Sequence, residues 1–235
     1  MTNTYSSEWF DIFLDSIKPE STRTEAAFIE RVLPSAAFPY LLDLCCGSGR
    51  HACLLAAHGY RILGLDASER AVRRARQSCP LARFEVGDMR RLSSLGETFD
   101  GVINLWHSFG YYDDHTNEEI LRQVRGVLRE GGRAIFDIYN REHFAQRPLH
   151  ETTERGGRTI DTTYSWHGLR HRVALQVDGK PGDTFDWRLY TPSEFQDLCL
   201  AAGLRPILSC AWFDESLPVA PRHARMQFVV ERAAS

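Results

Sequence analysis

The sequence predicts an α/β protein whose doubly wound, mostly parallel sheet of seven strands is preceded by a helical leader and interrupted by an inserted antiparallel cap. Three observations predict it. Five short apolar runs alternate with amphipathic stretches between residues 40 and 138, the pattern of βαβ units with helices on both sheet faces. The first run passes into a glycine turn, where such a sheet opens its ligand crevice. From 149 to 191 the period changes to two, with turn signals at Gly156-Gly157 and 178–182, which reads as antiparallel strands.

In chain order, the leader spans 1–39. Trp9, Phe10, Phe13, Leu14 and Ile17 recur at helical spacing. After Ser21 and Thr22, residues Ala26, Phe28, Ile29, Val32 and Leu33 do so again, and Pro34 and Pro39 close the segment. The core, 40–148, places strands at 40–44, 61–65, 83–86, 101–105 and 134–138. Arginine-rich helices lie at 69–77 and 118–129, the second stopped by Gly131-Gly132. The cap follows at 149–191. Beyond it, 192–235 carries a helix from Pro192 to Gly203, capped by Thr191, and two strands at 206–213 and 226–231. One elaborated domain accounts for these parts.

The 235 residues are 43% apolar and 25% charged, which excludes disordered and collagen-like classes. A net charge of −3 gives no sequence-wide attraction to nucleic acid or anionic membrane. No apolar run has signal-peptide or membrane-spanning form, so a soluble, cytoplasmic protein is expected. Six cysteines show neither CxxC pairing nor zinc spacing, so reduced thiols and no metal are expected.

In 41–52 an apolar strand runs into Cys45-Cys46-Gly47-Ser48-Gly49 and then a helix. Gly47 and Gly49 permit positive φ and close backbone approach, and the helix start offers unpaired N–H groups. Asp66 ends the second strand, roughly twenty residues after Asp43, where an acid accepts hydrogen bonds from a ribose diol. Asp88 ends the third strand, placed to accept from an exocyclic adenine amine. Each feature alone also suits a plain turn or a helix cap. Together Asp43, Gly47, Gly49, Asp66 and Asp88 describe an adenosine-shaped slot.

With these residues the stretch 40–138 resembles the class I S-adenosylmethionine-dependent methyltransferases, in their small-molecule branch. The resemblance implies a Rossmann-like methyltransferase fold and S-adenosyl-L-methionine as cofactor. Asp43, Gly47 and Gly49 match the family's acid and glycines; its first glycine is Cys45 here, an exchange that β-like backbone at Cys45 would accommodate. By the same resemblance Asp66, beside Ala67, holds the ribose hydroxyls, Asp88 the adenine amine and the Met89 backbone the ring edge. His51 starts the helix under the methionine tail, and Leu105 lines the cofactor at the fourth strand end. In the leader, Trp9 closes over the cofactor and Arg23 meets its carboxylate.

The same loop also fits the GxGxxA pattern of nicotinamide enzymes, a competing NAD(P)-dependent oxidoreductase reading. The Tyr-x-x-x-Lys pair of many short-chain dehydrogenases is absent, since Leu14 and Gln176 stand four residues before the two lysines. A non-catalytic binding protein that keeps the cofactor fold is a third reading.

After the fourth strand, 106–114 is rich in aromatics. Methyl transfer is an in-line displacement that needs alignment, and a base only when the acceptor arrives protonated. His107 and Tyr111 are therefore the expected catalytic contacts. Aromatic walls also suit a cationic sulfonium or amine. The Asn/Asp-Pro-Pro-Tyr/Phe motif of enzymes that methylate nucleic-acid amino groups is missing, which argues against such substrates. Tyr164, Trp166, His171, Arg188 and Tyr190 in the cap, with Tyr111, form the expected acceptor pocket; a homodimer interface is the other use of that surface. The expected activity is methyl transfer to N or O of a small molecule.

Overall fold

The computed structural model describes residues 3, 5, 6, 12, 13 and 17–233. Helix α1 (Pro19–Val32) precedes β1 (Tyr40–Leu44), α2 (Arg50–Ala57), β2 (Arg61–Asp66), α3 (Glu69–Ser78) and β3 (Arg83–Val86). A 3-10 turn (Met89–Leu95), β4 (Phe99–Asn104), α4 (Asp114–Val127) and β5 (Leu128–Tyr139) complete the first half. The short α5 (Arg141–Phe144) leads into β6 (His150–Arg155), β7 (Arg158–His167), β8 (Arg170–Val177) and β9 (Lys180–Arg188). Then come α6 (Pro192–Ala201), β10 (Leu204–Cys210) and β11 (Arg225–Arg232).

The larger sheet has the order β10-β11-β5-β4-β1-β2-β3. Strands β1 to β5 pair in parallel, whereas β11 runs antiparallel to both β5 and β10. This is the expected seven-stranded, doubly wound sheet. Strand order reverses between β1 and β4, so the crevice for a ligand opens at their carboxyl ends. Both central strands are buried along their whole length. On one face they pack with α4, α6 and the 3-10 turn through Ile120, Leu121, Phe195 and Leu92. On the other they meet α1, α2 and α3 through Phe28, Ile29, Leu55 and Val72.

Local signals explain the helices. Ser68 caps α3 by accepting from the Ala71 N–H, and Ala71, Val72 and Ala75 face inward while the arginines face out. Thr191 and Glu194 form a reciprocal capping box at the start of α6. Two expected boundaries are corrected. Helix α4 ends at Val127 rather than 129, and the paired glycines lie inside β5. A Cβ at Gly132 would come within 2.8 Å of the Arg129 carbonyl oxygen and 3.0 Å of that of Asp100, so this glycine serves a strand irregularity and not a helix stop. Helix α1 begins at Pro19, before Ser21, because proline suits a first helical turn. Trp9, Phe10 and Leu14 lie outside the described residues.

The cap is a four-stranded antiparallel sheet, β6-β7-β8-β9. Its apolar face (Ile160, Val173, Leu175, Val177, Phe185) is closed by Ile12 of the leader, with Tyr5 and Phe13 against it. Asn3 donates to the Asp186 carbonyl at 3.1 Å and accepts from the Asp186 N–H at 2.8 Å, tying the leader to β9. No described helix is long and apolar enough to cross a membrane.

Candidate active site

The turn after β1 has left-handed backbone at Cys45 (φ 63°), Gly47 (54°) and Gly49 (78°). Hydrogen bonds to β2 impose it: Cys46 N–H donates to the Leu65 carbonyl at 3.0 Å, and Gly47 N–H to Asp66 Oδ2 at 2.8 Å. The second Asp66 oxygen accepts from Ser68 N–H at 2.8 Å. Burial raises the Asp66 carboxyl, opposed by these two N–H groups. Gly49 caps α2, and a Cβ there would sit 2.7 Å from the Phe84 ring and 3.1 Å from Ala75 Cβ. Gly49→Ala is therefore expected to cost about 2–4 kcal/mol in a urea titration, combining left-handed strain with overpacking. A cost below 1 kcal/mol, the lower limit for either effect, would show that the loop relaxes freely.

Among the described residues, three buried polar atoms around this loop have no partner: Asp43 Oδ2, Asn104 Oδ1 and Arg50 Nη2. Buried polar atoms in a folded protein are normally satisfied, so these three are open to a ligand. Burial pushes the Asp43 carboxyl up to about 7, with Arg50 opposing and Asp66 adding to the shift. Two acceptors and one cationic donor suit the ammonium and carboxylate of an α-amino acid. At the next strand end, Asp88 accepts from the Arg90 N–H at 2.9 Å and pairs with its guanidinium, which holds the carboxyl below its ordinary range. Arg90 also lies 4.7 Å over the Tyr112 ring.

A buried ionic network backs the loop. Glu25 of α1 accepts from Arg50 Nη1 at 2.8 Å and from the Trp106 indole N–H at 2.8 Å, and its Oε2 lies 2.6 Å from His51 Nε2. Burial alone would raise the Glu25 carboxyl, but His51, Arg50 and Arg225 override it and hold it at about 2. The Arg50 and Arg225 guanidiniums lie 4.6 and 4.5 Å over the Trp106 ring. Arg225 is paired by two bonds to the fully buried Asp137, which also accepts from the Trp106 N–H at 2.8 Å and from Gln227 at 2.7 Å.

Between this network and the cap lies an aromatic wall. The His107 ring stacks on Tyr139 at 4.0 Å and meets Trp187 edge to face at 5.2 Å. Its Nδ1 accepts from the Tyr139 N–H at 3.1 Å. Burial, with the Arg225 charge, pushes this imidazole well below its usual range. The Tyr111 and Tyr5 hydroxyls share a short hydrogen bond, and burial raises both phenols far above the ordinary value. In the cap, Tyr164 and Trp166 contact His171 at 5.3 and 4.6 Å, and Phe144 bridges His171 to Tyr139.

Residues 41–132 match a family described as a methyltransferase domain. The dTDP-3-amino-3,4,6-trideoxy-α-D-glucopyranose N,N-dimethyltransferase of Streptomyces venezuelae is 29% identical over 182 residues, covering 70% of this chain and 75% of that protein. The ubiquinone biosynthesis O-methyltransferase of Ruegeria pomeroyi is 28% identical over 175 residues, 71% of this chain and 60% of that one. A crystal structure of an S-adenosylmethionine-dependent methyltransferase from Clostridium acetobutylicum matches with a TM-score of 0.81 over 97% of both chains, at 17% identity. This chain is an S-adenosylmethionine-dependent methyltransferase.

In this methyltransferase, whose cofactor is S-adenosyl-L-methionine, the expected loop residues Asp43, Cys45, Gly47, Gly49 and Asp66 come together, with Met89 and Leu105 buried behind them. The nicotinamide reading gains no support. Several expectations are corrected. Cys45 has glycine-like, not β-like, backbone, because the bonds to β2 fix the turn whatever the side chain. Arg23 does not reach the loop; it falls on the outer face of α1 and pairs with Glu20, whereas Glu25 falls on the inner face. His51 is turned onto Glu25.

Arg188 and Tyr190 lie outside the methyltransferase's aromatic wall. Arg188 pairs with Asp114 at 2.8 Å. Tyr190 sits in the main core, where its hydroxyl accepts from Asn117 Nδ2 at 3.1 Å. Strand β9 ends at Arg188, so alternation carries no information beyond it. Glu25, Arg50, Asn104, Asp137 and Arg225 were not foreseen. Asn104 and Asp137 did carry a signal, as polar residues that directly follow the apolar runs Val102-Ile103 and Ile135-Phe136.

Proposed function

We propose that the enzyme methylates the nitrogen of a small-molecule amine that arrives with its lone pair free. One observation carries this reading: neither expected catalytic residue can take a proton. His107 already uses its Nδ1 lone pair on a backbone N–H, and Tyr111 is held as a neutral phenol. A phenolic or alcoholic acceptor needs a base at the transferring oxygen, whereas a neutral amine does not. The Streptomyces venezuelae relative, which acts on an amino sugar, agrees with a nitrogen acceptor.

S-adenosylmethionine supplies a methyl group on a sulfonium. Asp66 would hold its ribose, Asp43 and Asn104 its ammonium, and Arg50 its carboxylate, while Asp88 would take the adenine amine once Arg90 yields. The Tyr5–Tyr111 hydroxyl pair orients the amine, and Tyr139 and Trp187 offer ring faces to the positive charge that develops on nitrogen. Trp9 lies outside the described residues.

The test is a panel of primary amines and phenols assayed for methylated product by mass spectrometry across pH. Amines should react, with kcat/KM rising with pH up to the ammonium pKa of each amine and so tracking the substrate. Faster methylation of phenols, with one pKa shared by all acceptors, would overturn the reading.

The cofactor side gives a separate pH prediction. An ammonium partner favours ionised Asp43, so below pH about 7 binding must first displace a proton from that carboxyl. Calorimetry should show affinity for S-adenosylhomocysteine falling up to about tenfold per pH unit below 7 and levelling above it, with the slope lost in Asp43→Asn. A flat profile in the parent protein would remove Asp43 from that role.

A further inference from the structure

His107 has a second feature that its failure as a base makes visible. Because Nδ1 accepts the Tyr139 N–H, the neutral ring carries its proton on Nε2. That Nε2 is buried and has no hydrogen-bond partner among the described residues. The ring cannot swivel to find one, being stacked on Tyr139 and walled by Trp187. The backbone at His107 is itself left-handed, with φ 56°. Across the wall, His171 Nδ1 is also buried and unpartnered among the described residues. Burial and the Arg147 charge press the His171 imidazole down to about 4, so it too is neutral. A fixed donor left unsatisfied inside an aromatic enclosure is costly unless a ligand atom meets it.

We propose that His107 is a substrate-reading residue: its Nε2–H donates to a hydroxyl or carbonyl oxygen carried by the acceptor next to the reacting nitrogen. The substrate class is accordingly an oxygenated amine, such as a vicinal amino alcohol, in preference to a plain alkylamine. The turnover consequence rests on the nitrogen reading above; the hydrogen bond itself does not.

Two measurements separate them. The probes are 2-aminocyclohexanol and cyclohexylamine, which differ by the one oxygen. In the S-adenosylhomocysteine complex, nitrogen NMR should show the Nε2–H tautomer of His107, and its proton should shift downfield with 2-aminocyclohexanol but not with cyclohexylamine. In turnover, kcat/KM should favour the amino alcohol by about tenfold or more. The ratio should fall toward one in His107→Phe and recover in part in His107→Gln, whose side-chain amide supplies an N–H at a similar reach. Melting temperature and S-adenosylhomocysteine affinity establish that each variant is folded, and the parent's NMR result stands if one is not.

An Nδ1–H tautomer overturns the proposal, as does the absence of any selective shift, or a ratio that His107→Phe leaves unchanged. A selective shift without methylation of either amine supports the donor role and overturns the nitrogen reading instead.

Discussion

Asp137→Ala is expected to lower stability by about 3–5 kcal/mol, a large share of what holds a domain of this size together. The reason is what the substitution leaves behind. Arg225 loses a two-bond partner in a largely buried position, and the Trp106 N–H and the Gln227 amide lose their acceptors. Glu25 is no substitute, since Arg225 reaches it only at 3.8 Å. The arginine is then a buried cation without a close counter-ion, which costs far more than the pair contributes when intact. Urea unfolding measures the loss. The double variant Asp137→Leu/Arg225→Met, which removes both charges, should recover most of it. If it is as unstable as the single variant, the loss is one of packing and the electrostatic account fails.

Asp66→Ala is expected to weaken binding of S-adenosylmethionine by about 100-fold or more, while the core stays folded. The carboxylate closes the glycine turn by taking the Gly47 and Ser68 N–H groups, and in the proposed complex it would also take the ribose hydroxyls. Losing a charged acceptor forfeits roughly 1.5–3 kcal/mol per hydrogen bond, and a disordered turn adds the cost of re-forming it on binding. Calorimetry against S-adenosylmethionine gives the number. Asp66→Asn, which keeps one carbonyl acceptor, should fall between the two. Affinity within threefold of the parent in the alanine variant would remove Asp66 from the cofactor site.

Much of the fold was legible because its signals are local. Buried parallel strands read as continuous apolar runs, and Ser68, Thr191 and Pro192 mark helix starts by their own chemistry. The glycine turn and the strand-end aspartates were legible for the same reason. Partnerships across distant segments were not. Glu25 and Arg225 are 200 positions apart, and only the sheet order brings α1 and β11 to the same loop. Resemblance and charge pointed to Arg23, and neither carries helical phase; the face of α1 that turns inward decides for Glu25. Cys45 was misjudged because propensity for left-handed backbone is weak beside two hydrogen bonds that hold the turn.

The position of β11 has a consequence for how the protein is made. This strand lies between β5 and β10, so β10 has no neighbour in the sheet until β11 arrives. A ribosome delivers β1 to β5 and the whole cap well before residues 225–232. Until then the nascent chain carries an open strand edge at β5, with apolar Ile135, Phe136 and Ile138 along it and the Asp137 carboxylate awaiting its arginine. Such an edge is where chains pair with the wrong partner. Translation that stalls or stops before residue 225 should therefore yield a product that aggregates or is held by chaperones, although every element of the cofactor loop is already present.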